Sequence, residues 1–237
     1  MSLALTGAMN DAELCGSWWD PDSGCTVVVA RPSAAPELWQ TYVGGARQSY
    51  RSHGVECALD LAALSSGSDT ALFFVALDGD GRMRGGLRVR QPYRVVADSH
   101  AVLEWDGQPG LRAIKAMIGE RIPDGVVEVK SAWVSHEPGP HRGLARSLAR
   151  TALPILHLLD ARYLMATAAD HVLQAWCSSG GRVAEHIPAT PYPDKRYATK
   201  VMWWDRTTIT SDAESAQAAK MLTHLHSLRQ DTLAATA

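Results

Sequence analysis

The chain has 237 residues, 46% of them apolar and 20% charged, which is enough to fold around a core of its own and unlike a disordered or fibrous composition. A formal charge of −2 argues against a general attraction to nucleic acid, so any anion site has to be local. Cys15, Cys25, Cys57 and Cys177 are scattered, with no C-x-x-C pair and no zinc-like spacing, which argues against both a disulfide framework and a metal site.

Met1 to Asn10 lacks the basic and apolar regions of a signal peptide. Runs such as Ala71 to Leu77 and Leu153 to Leu159 are far short of the roughly 20 residues a bilayer span needs. A cytoplasmic protein without a membrane span is expected. Residues 1–35 read as an N-terminal extension, rich in turn formers around the β-branched run Thr26 to Val29, which suits an edge strand. The body is expected over 36–208 and a C-terminal helix or tail over 209–237.

From Pro36 to about Ser52 the spacing of Leu38, Tyr42 and Ala46 predicts an amphipathic helix, although Gly44-Gly45 interrupts it. Ala71 to Leu77, the turn Asp78-Gly79-Asp80-Gly81, and Arg82 to Arg90 predict a β-hairpin. A short strand is expected at Ala101 to Trp105, then a helix from Leu111 to Ile118. Val126 to Val134 is a strand by its β-branched content, and Gly143 to Leu159 a helix with Leu144, Leu148, Ala152, Ile155 and Leu159 on its buried side. Pro154 should kink that helix. A strand at Tyr163 to Thr167, a short helix at Val172 to Cys177, Gly180-Gly181 and a closing hairpin from Arg182 to Ile187 and Thr199 to Trp204 follow. A polar, Ala-rich helix ends the chain at Ser211 to Leu228.

The chemistry concentrates where the strand Val126 to Val134 leads through Ser135-His136-Glu137-Pro138-Gly139-Pro140 into His141-Arg142-Gly143-Leu144-Ala145-Arg146. A small-residue turn opens a helix directly after a strand. The first N–H groups of that helix lack internal partners and carry partial positive charge, which suits a pyrophosphate. Arg142, Arg146 and Arg150 recur at helical spacing, and Arg82, Arg84, Arg88 and Arg90 share one parity on their strand. Either set is a solvated face or a landing zone for an anionic donor. Period-two alternation puts Glu128 on one face with Val126, Lys130, Ala132 and Val134. Two readings of it stay open: a tuned general base, or an ordinary ion pair with Lys130.

A β-hairpin, a strand, a loop ending in Arg142-Gly143-Leu144-Ala145, a second strand and a short helix reaching Gly180 together resemble the GNAT superfamily of acyltransferases, over roughly residues 71–205. The resemblance implies an α/β (α+β) fold: a mixed, largely antiparallel sheet flanked by helices and splayed at its central strands. It implies that Trp133 and Val134 hold a pantetheine arm through the backbone, while His141, Arg142, Gly143, Leu144, Ala145 and Arg146 bind the pyrophosphate of coenzyme A. Gly143 and Ala145 match the family's two small positions, whereas Pro140 stands where the family has Arg or Gln. Glu128 matches a Glu that many members place on this strand. Trp176 occupies the position of a frequent acidic Tyr and reads as core packing, which leaves His136 and His171, near the two strand ends, as the other catalytic candidates.

A narrower resemblance extends to the acyl-homoserine-lactone and N-acyl amino acid synthases. It rests on Arg47, on Gly85-Gly86-Leu87-Arg88, on Val127-Glu128 and on Tyr192-Pro193-Asp194; Ser131 stands where that branch commonly has Arg. The implied function is transfer of an acyl group from a pantetheine thioester, acyl-coenzyme A or acyl carrier protein, to the amine of a small, amino-acid-like acceptor. No metal is expected, and a homodimer is left open. The alternatives are an acetyl-coenzyme A-dependent N-acetyltransferase and a catalytically inactive ligand-binding or interaction module of the same fold.

Overall fold

The computed structural model describes residues 14–135 and 143–235. In chain order they form β1 (Leu14–Asp20), β2 (Cys25–Ala30), α1 (Pro36–Ser52), α2 (Leu61–Ser66), β3 (Thr70–Leu77), β4 (Met83–Arg90), α3 (Ala101–Glu104) and α4 (Leu111–Arg121). Then come β5 (Val126–Val134), α5 (Leu144–Ala149), α6 (Ala152–Leu158), β6 (Tyr163–Ala169), α7 (Leu173–Cys177), β7 (Arg182–Val183), β8 (Thr199–Asp205), α8 (Ile209–Asp212) and α9 (Ser215–Ala235). Among the described residues no helix is long and apolar enough to cross a membrane.

The strands make one sheet in the order β1-β2-β3-β4-β5-β6-β8-β7. Only β5 and β6 run parallel; the other neighbours are antiparallel. This is the mixed, largely antiparallel sheet flanked by helices that the resemblance implies. β1 and β2, within the stretch read as an extension or edge strand, form its outer hairpin.

Alternation sorts the two faces. Val27, Val29, Leu72, Phe74, Leu87, Val89, Val127 and Val129 pack with Leu144, Leu148, Ile155 and Met221 of α5, α6 and α9. On the opposite face Val28, Phe73 and Val75 pack with Leu38, Trp39 and Tyr42 of α1. Further along that face, Val126, Met165, Val201 and Trp203 pack with Ala101, Ile114 and Ile118 of α3 and α4. The result is a sheet between two helical layers.

Three local expectations change. Residues 101–104 are helical rather than extended, because Ala101 and Trp105 are fully buried while Leu103 is 68% exposed. Strand alternation would have put Leu103 on the same face as its neighbours two away, whereas helical spacing separates it. A short apolar run does not distinguish the two periods. The long helix after β5 breaks at Arg150-Thr151, four residues before the expected kink at Pro154, because the proline has no N–H to offer the Arg150 carbonyl and the chain resumes helix only at Ala152. The strand expected over 182–187 shrinks to Arg182–Val183.

A fourth difference lies in β5. Gly86 pairs with Trp133 and Arg88 with Lys130, so Leu87 alone stands opposite Ser131 and Ala132. That is a β-bulge, and Ser131 takes φ 53° to make it. One extra residue inverts the alternation beyond it. Glu128 and Lys130 therefore share a face with Trp133, while Ala132 and Val134 turn to the other side and pack with α5 and α6. The simple period-two face containing Ala132 and Val134 is corrected accordingly.

Candidate active site

β5 and β6 pair only from Val126–Tyr163 to Val129–Ala166. Beyond that point β5 continues along β4 as far as Val134, and β6 continues along β8 as far as Ala169. The central strands thus splay, and a cavity of about 520 Å³ occupies the opening. Its walls are apolar at Val129, Ala132, Val134, Leu148, Ala166 and Ala168, and polar around Glu104, Lys130, Thr167 and Tyr192. Diverging strand edges leave backbone hydrogen-bonding groups that an extended, amide-bearing ligand can satisfy.

Lys130 and Thr167 are the first residues past the last paired couple, and they close the vertex: Lys130 Nζ donates to Thr167 Oγ1 at 3.0 Å. The same ammonium donates to Glu104 Oε1, which also meets His100 Nδ1 at 2.9 Å. Burial pushes the Glu104 carboxyl up, but Lys130 and His100 outweigh it and hold the pKa down at about 2. Glu104 is therefore charged at any working pH and is no proton acceptor. Tyr50, also in the wall, is pushed up by burial and by the Glu104 charge to about 12, so its hydroxyl stays protonated.

Trp133 lines the cavity and is accommodated by α1. A Cβ on Gly45 would lie 2.2 Å from Trp133 Cζ2, which explains the glycine inside an otherwise regular helix. Tyr42 of α1 donates to the Ser131 carbonyl at 2.8 Å and so fixes the bulge.

The sequence-derived candidates separate clearly. Glu128 is fully buried and lies outside the cavity lining. Its Oε2 accepts from the Tyr93 hydroxyl and, at 3.0 Å, from the His100 backbone N–H, so this carboxylate holds the start of α3. His171 and Trp176 lie in the cavity wall, and Trp176 also packs edge-on against Trp204 at 6.1 Å between ring centroids. His136, His141 and Arg142 lie outside the described residues. Gly143 has φ 91° and caps α5, and Ala145 of that first turn reaches the cavity beside Val134. Leu144 is buried in the core beneath.

The arginine sets are engaged elsewhere. Arg150 is buried and bound to Asp20, to Asp22 at 3.0 Å and to Gln217 at 2.6 Å, while Arg146 pairs with Glu214. Arg84 meets Asp78 at 2.6 Å and Arg88 meets Asp69 at 2.5 Å, both with little exposure. Of the two readings of these arginines, a landing zone for an anionic donor loses Arg84, Arg88 and Arg150 to internal ion pairs, whereas the Arg146–Glu214 pair is exposed to solvent. Glu104, Tyr50 and Thr167 were not anticipated as site residues. The only local signal for Glu104 is a charged residue interrupting an apolar run, since its partner Lys130 lies 26 positions away.

No protein-family model matches the chain. Over 222 residues it is 50% identical to the uncharacterized protein Rv1356c of Mycobacterium tuberculosis (strain ATCC 25618 / H37Rv), covering 93% of this chain and 84% of that one. The uncharacterized protein Mb1391c of Mycobacterium bovis matches to the same extent. Among solved structures the chain is similar to FeeM, an N-acyl amino acid synthase from uncultured soil microbes, with a TM-score of 0.56, 17% identity, and coverage of 77% of this chain and 92% of that one. It is similar to BjaI, a coenzyme A-dependent acyl-homoserine lactone synthase, at a TM-score of 0.51 and 15% identity over 86% of this chain and 94% of that one. The acyl-homoserine-lactone synthase LasI gives 0.51 and 11% over 78% and 91%. At these identities the likeness is one of fold, and the fold is GNAT-like.

Proposed function

This chain belongs to the family of the mycobacterial protein Rv1356c and has a GNAT-like fold, and on that premise we propose that it is an N-acyltransferase. It moves an acyl group from a pantetheine thioester to the amine of a small, amino-acid-like acceptor. The observation that carries the reading is the cavity between the splayed strands, apolar along its length and charged at its vertex. FeeM and BjaI, by their names an N-acyl amino acid synthase and a coenzyme A-dependent synthase, lend this chain the acceptor class and the donor. Acyl-coenzyme A and acyl carrier protein present the same pantetheine arm, and both are donors under this reading.

The arm lies along β5 past Val129, with Trp133 and Val134 beside it, and Gly143, Leu144, Ala145 and Arg146 at the opening of α5 where the phosphates arrive. The amine nitrogen attacks the thioester carbonyl, the C–N bond forms, the C–S bond breaks, and the thiolate leaves to be protonated. The attacking amine must be neutral. His171, as the sequence-derived catalytic candidate that lines the cavity, takes its proton, and Glu128 acts through α3 as a positioning residue.

The test is thiol release from short and long acyl-coenzyme A thioesters with amino-acid acceptors, with the N-acyl product identified by mass spectrometry. His171→Ala is expected to lower kcat by about 10²- to 10⁴-fold with little change in thioester affinity, and Glu128→Gln to leave the shape of the pH–rate profile unaltered. The opposite pattern would return the base to Glu128. A second reading, an inactive shell that only binds ligands, is favoured by the sealed environment of Glu128. Coenzyme A binding without transfer from any thioester would establish it.

A further inference from the structure

Glu104 ends α3 with a side chain shielded from bulk solvent that nevertheless forms part of the cavity wall. Its two oxygens are treated differently. Oε1 meets both Lys130 Nζ and His100 Nδ1, while Oε2 has no hydrogen-bond partner. A buried carboxylate oxygen left unpaired is costly, and folded proteins leave few such atoms without a reason. Lys130 is the mirror case. An ammonium has three donors, and this one uses one on Glu104 and one on Thr167.

The vertex of the splay therefore offers one unused acceptor on an anion and one unused donor on a cation, held side by side by their mutual ion pair. We propose that Glu104 and Lys130 form the head-group subsite of the acceptor, Glu104 Oε2 taking the ammonium and Lys130 the neighbouring carboxylate of an α-amino acid. This rests on the acyltransferase reading for its catalytic meaning, but the subsite is defined by its own chemistry.

Charge decides the ligand class. The Glu104–Lys130 pair is neutral as a unit, so a lone amine or a lone carboxylate would bring an uncompensated charge into a poorly solvated pocket. A zwitterion brings none, and its two ends match the pair in sign and order. Val129, Ala166 and Ala168 beside the vertex suit an apolar side chain.

Titration calorimetry without any thioester tests this with three probes of one shape: leucine, 3-methylbutylamine, which lacks the carboxylate, and 4-methylpentanoate, which lacks the amine. The parent protein is expected to bind leucine about tenfold or more tightly than either analogue. Glu104→Gln should abolish that preference, since it turns an amide donor toward the ammonium. Because this variant leaves Lys130 without a counter-charge, the double variant Glu104→Gln with Lys130→Met, which removes both charges, is measured alongside and should lose the preference too. Leucine binding unchanged in the double variant, equal binding of the three probes, or no binding of leucine by the folded parent would overturn the subsite. Coenzyme A and holo-acyl carrier protein titrated into the same samples separate the two ideas: Glu104-dependent leucine binding without binding of either donor carrier overturns the acyltransferase reading and leaves the subsite standing.

Discussion

Ser131 holds a left-handed backbone conformation, φ 53°, that L-residues other than glycine and asparagine rarely adopt, and its side chain is buried next to Arg88. The strain is maintained by the Tyr42 hydroxyl on its carbonyl and by the pairing of β4 on either side. It matters because the bulge it makes directs Trp133 toward α1 and Ala132 and Val134 toward α5. Ser131→Gly is expected to fold with unchanged stability, whereas Ser131→Val should cost about 1–3 kcal/mol, because a β-branched side chain resists positive φ. Urea unfolding of the two variants measures the difference. A valine variant as stable as the parent would mean that the strand runs regularly and that the alternation of its faces is unbroken. Nothing in Val126 to Val134 announces the bulge, since it is marked by a serine rather than a glycine; the strand was legible and its inversion was not. Parity put Glu128 on one face with Lys130 and left a general base and an ion pair with Lys130 both open, because its actual partners Tyr93 and His100 lie 35 and 28 positions away.

At the level of elements, the helices α5 and α6 show how a local signal and a distant one combine. Pro154 was a readable breaker, and the break four residues earlier follows from which carbonyl it fails to serve. What the break exposes was not readable. Arg150, at the joint, binds Asp20 of β1, Asp22 of the following turn and Gln217 of α9, partners 130, 128 and 67 positions away. Helical spacing placed Arg150 in a surface stripe because it reports which residues share a face, not what that face meets. Asp20 is fully buried and also accepts from the Ser23 hydroxyl at 2.6 Å. Arg150→Met would leave this carboxylate without its counter-charge and should destabilise the fold by about 3–5 kcal/mol, with Asp20→Asn in the same chain recovering part of the loss. Thermal unfolding reads this as a fall of roughly 2–4 °C per kcal/mol. Equal stability of Arg150→Met and the parent would show that the arginine is solvated and available to an anionic ligand after all.

Across the whole molecule, the splay and the C-terminal helix stand at opposite ends of the same packing problem. The sheet opens between β5 and β6, so the layer of α5, α6 and α9 behind it has to be held by contacts that do not depend on strand pairing. α9 supplies them through Gln217, through Lys220 on Asp22, and through His224, which stacks on Trp18 of β1 with 5.0 Å between ring centroids. The order of elements from β3 to β8 was legible because hairpin, strand, loop and helix each have short-range signals. The clasp was legible only as a polar, Ala-rich terminal helix, because its polar contacts join the two ends of the chain. His224 makes the clasp sensitive to acid. Burial, followed by the nearby Arg150 charge, lowers its pKa from an ordinary 6.5 to about 4, so the folded protein keeps the ring neutral where the unfolded chain would protonate it. Between pH 6.5 and 4 the unfolded state therefore binds more protons than the folded one. The stability this ring contributes is fully present above pH 6.5 and is lost as the pH falls toward 4. His224→Phe keeps a flat ring on Trp18 and removes the titration, so its melting temperature should fall less than that of the parent between pH 7 and pH 4.5. Parallel curves for the two proteins across that window would show that the His224 ring does not set the acid sensitivity there. Glu104 acts at lower pH: because its folded pKa is held at about 2, stability present above its ordinary value of 4.5 is lost only as the pH falls below that value toward 2.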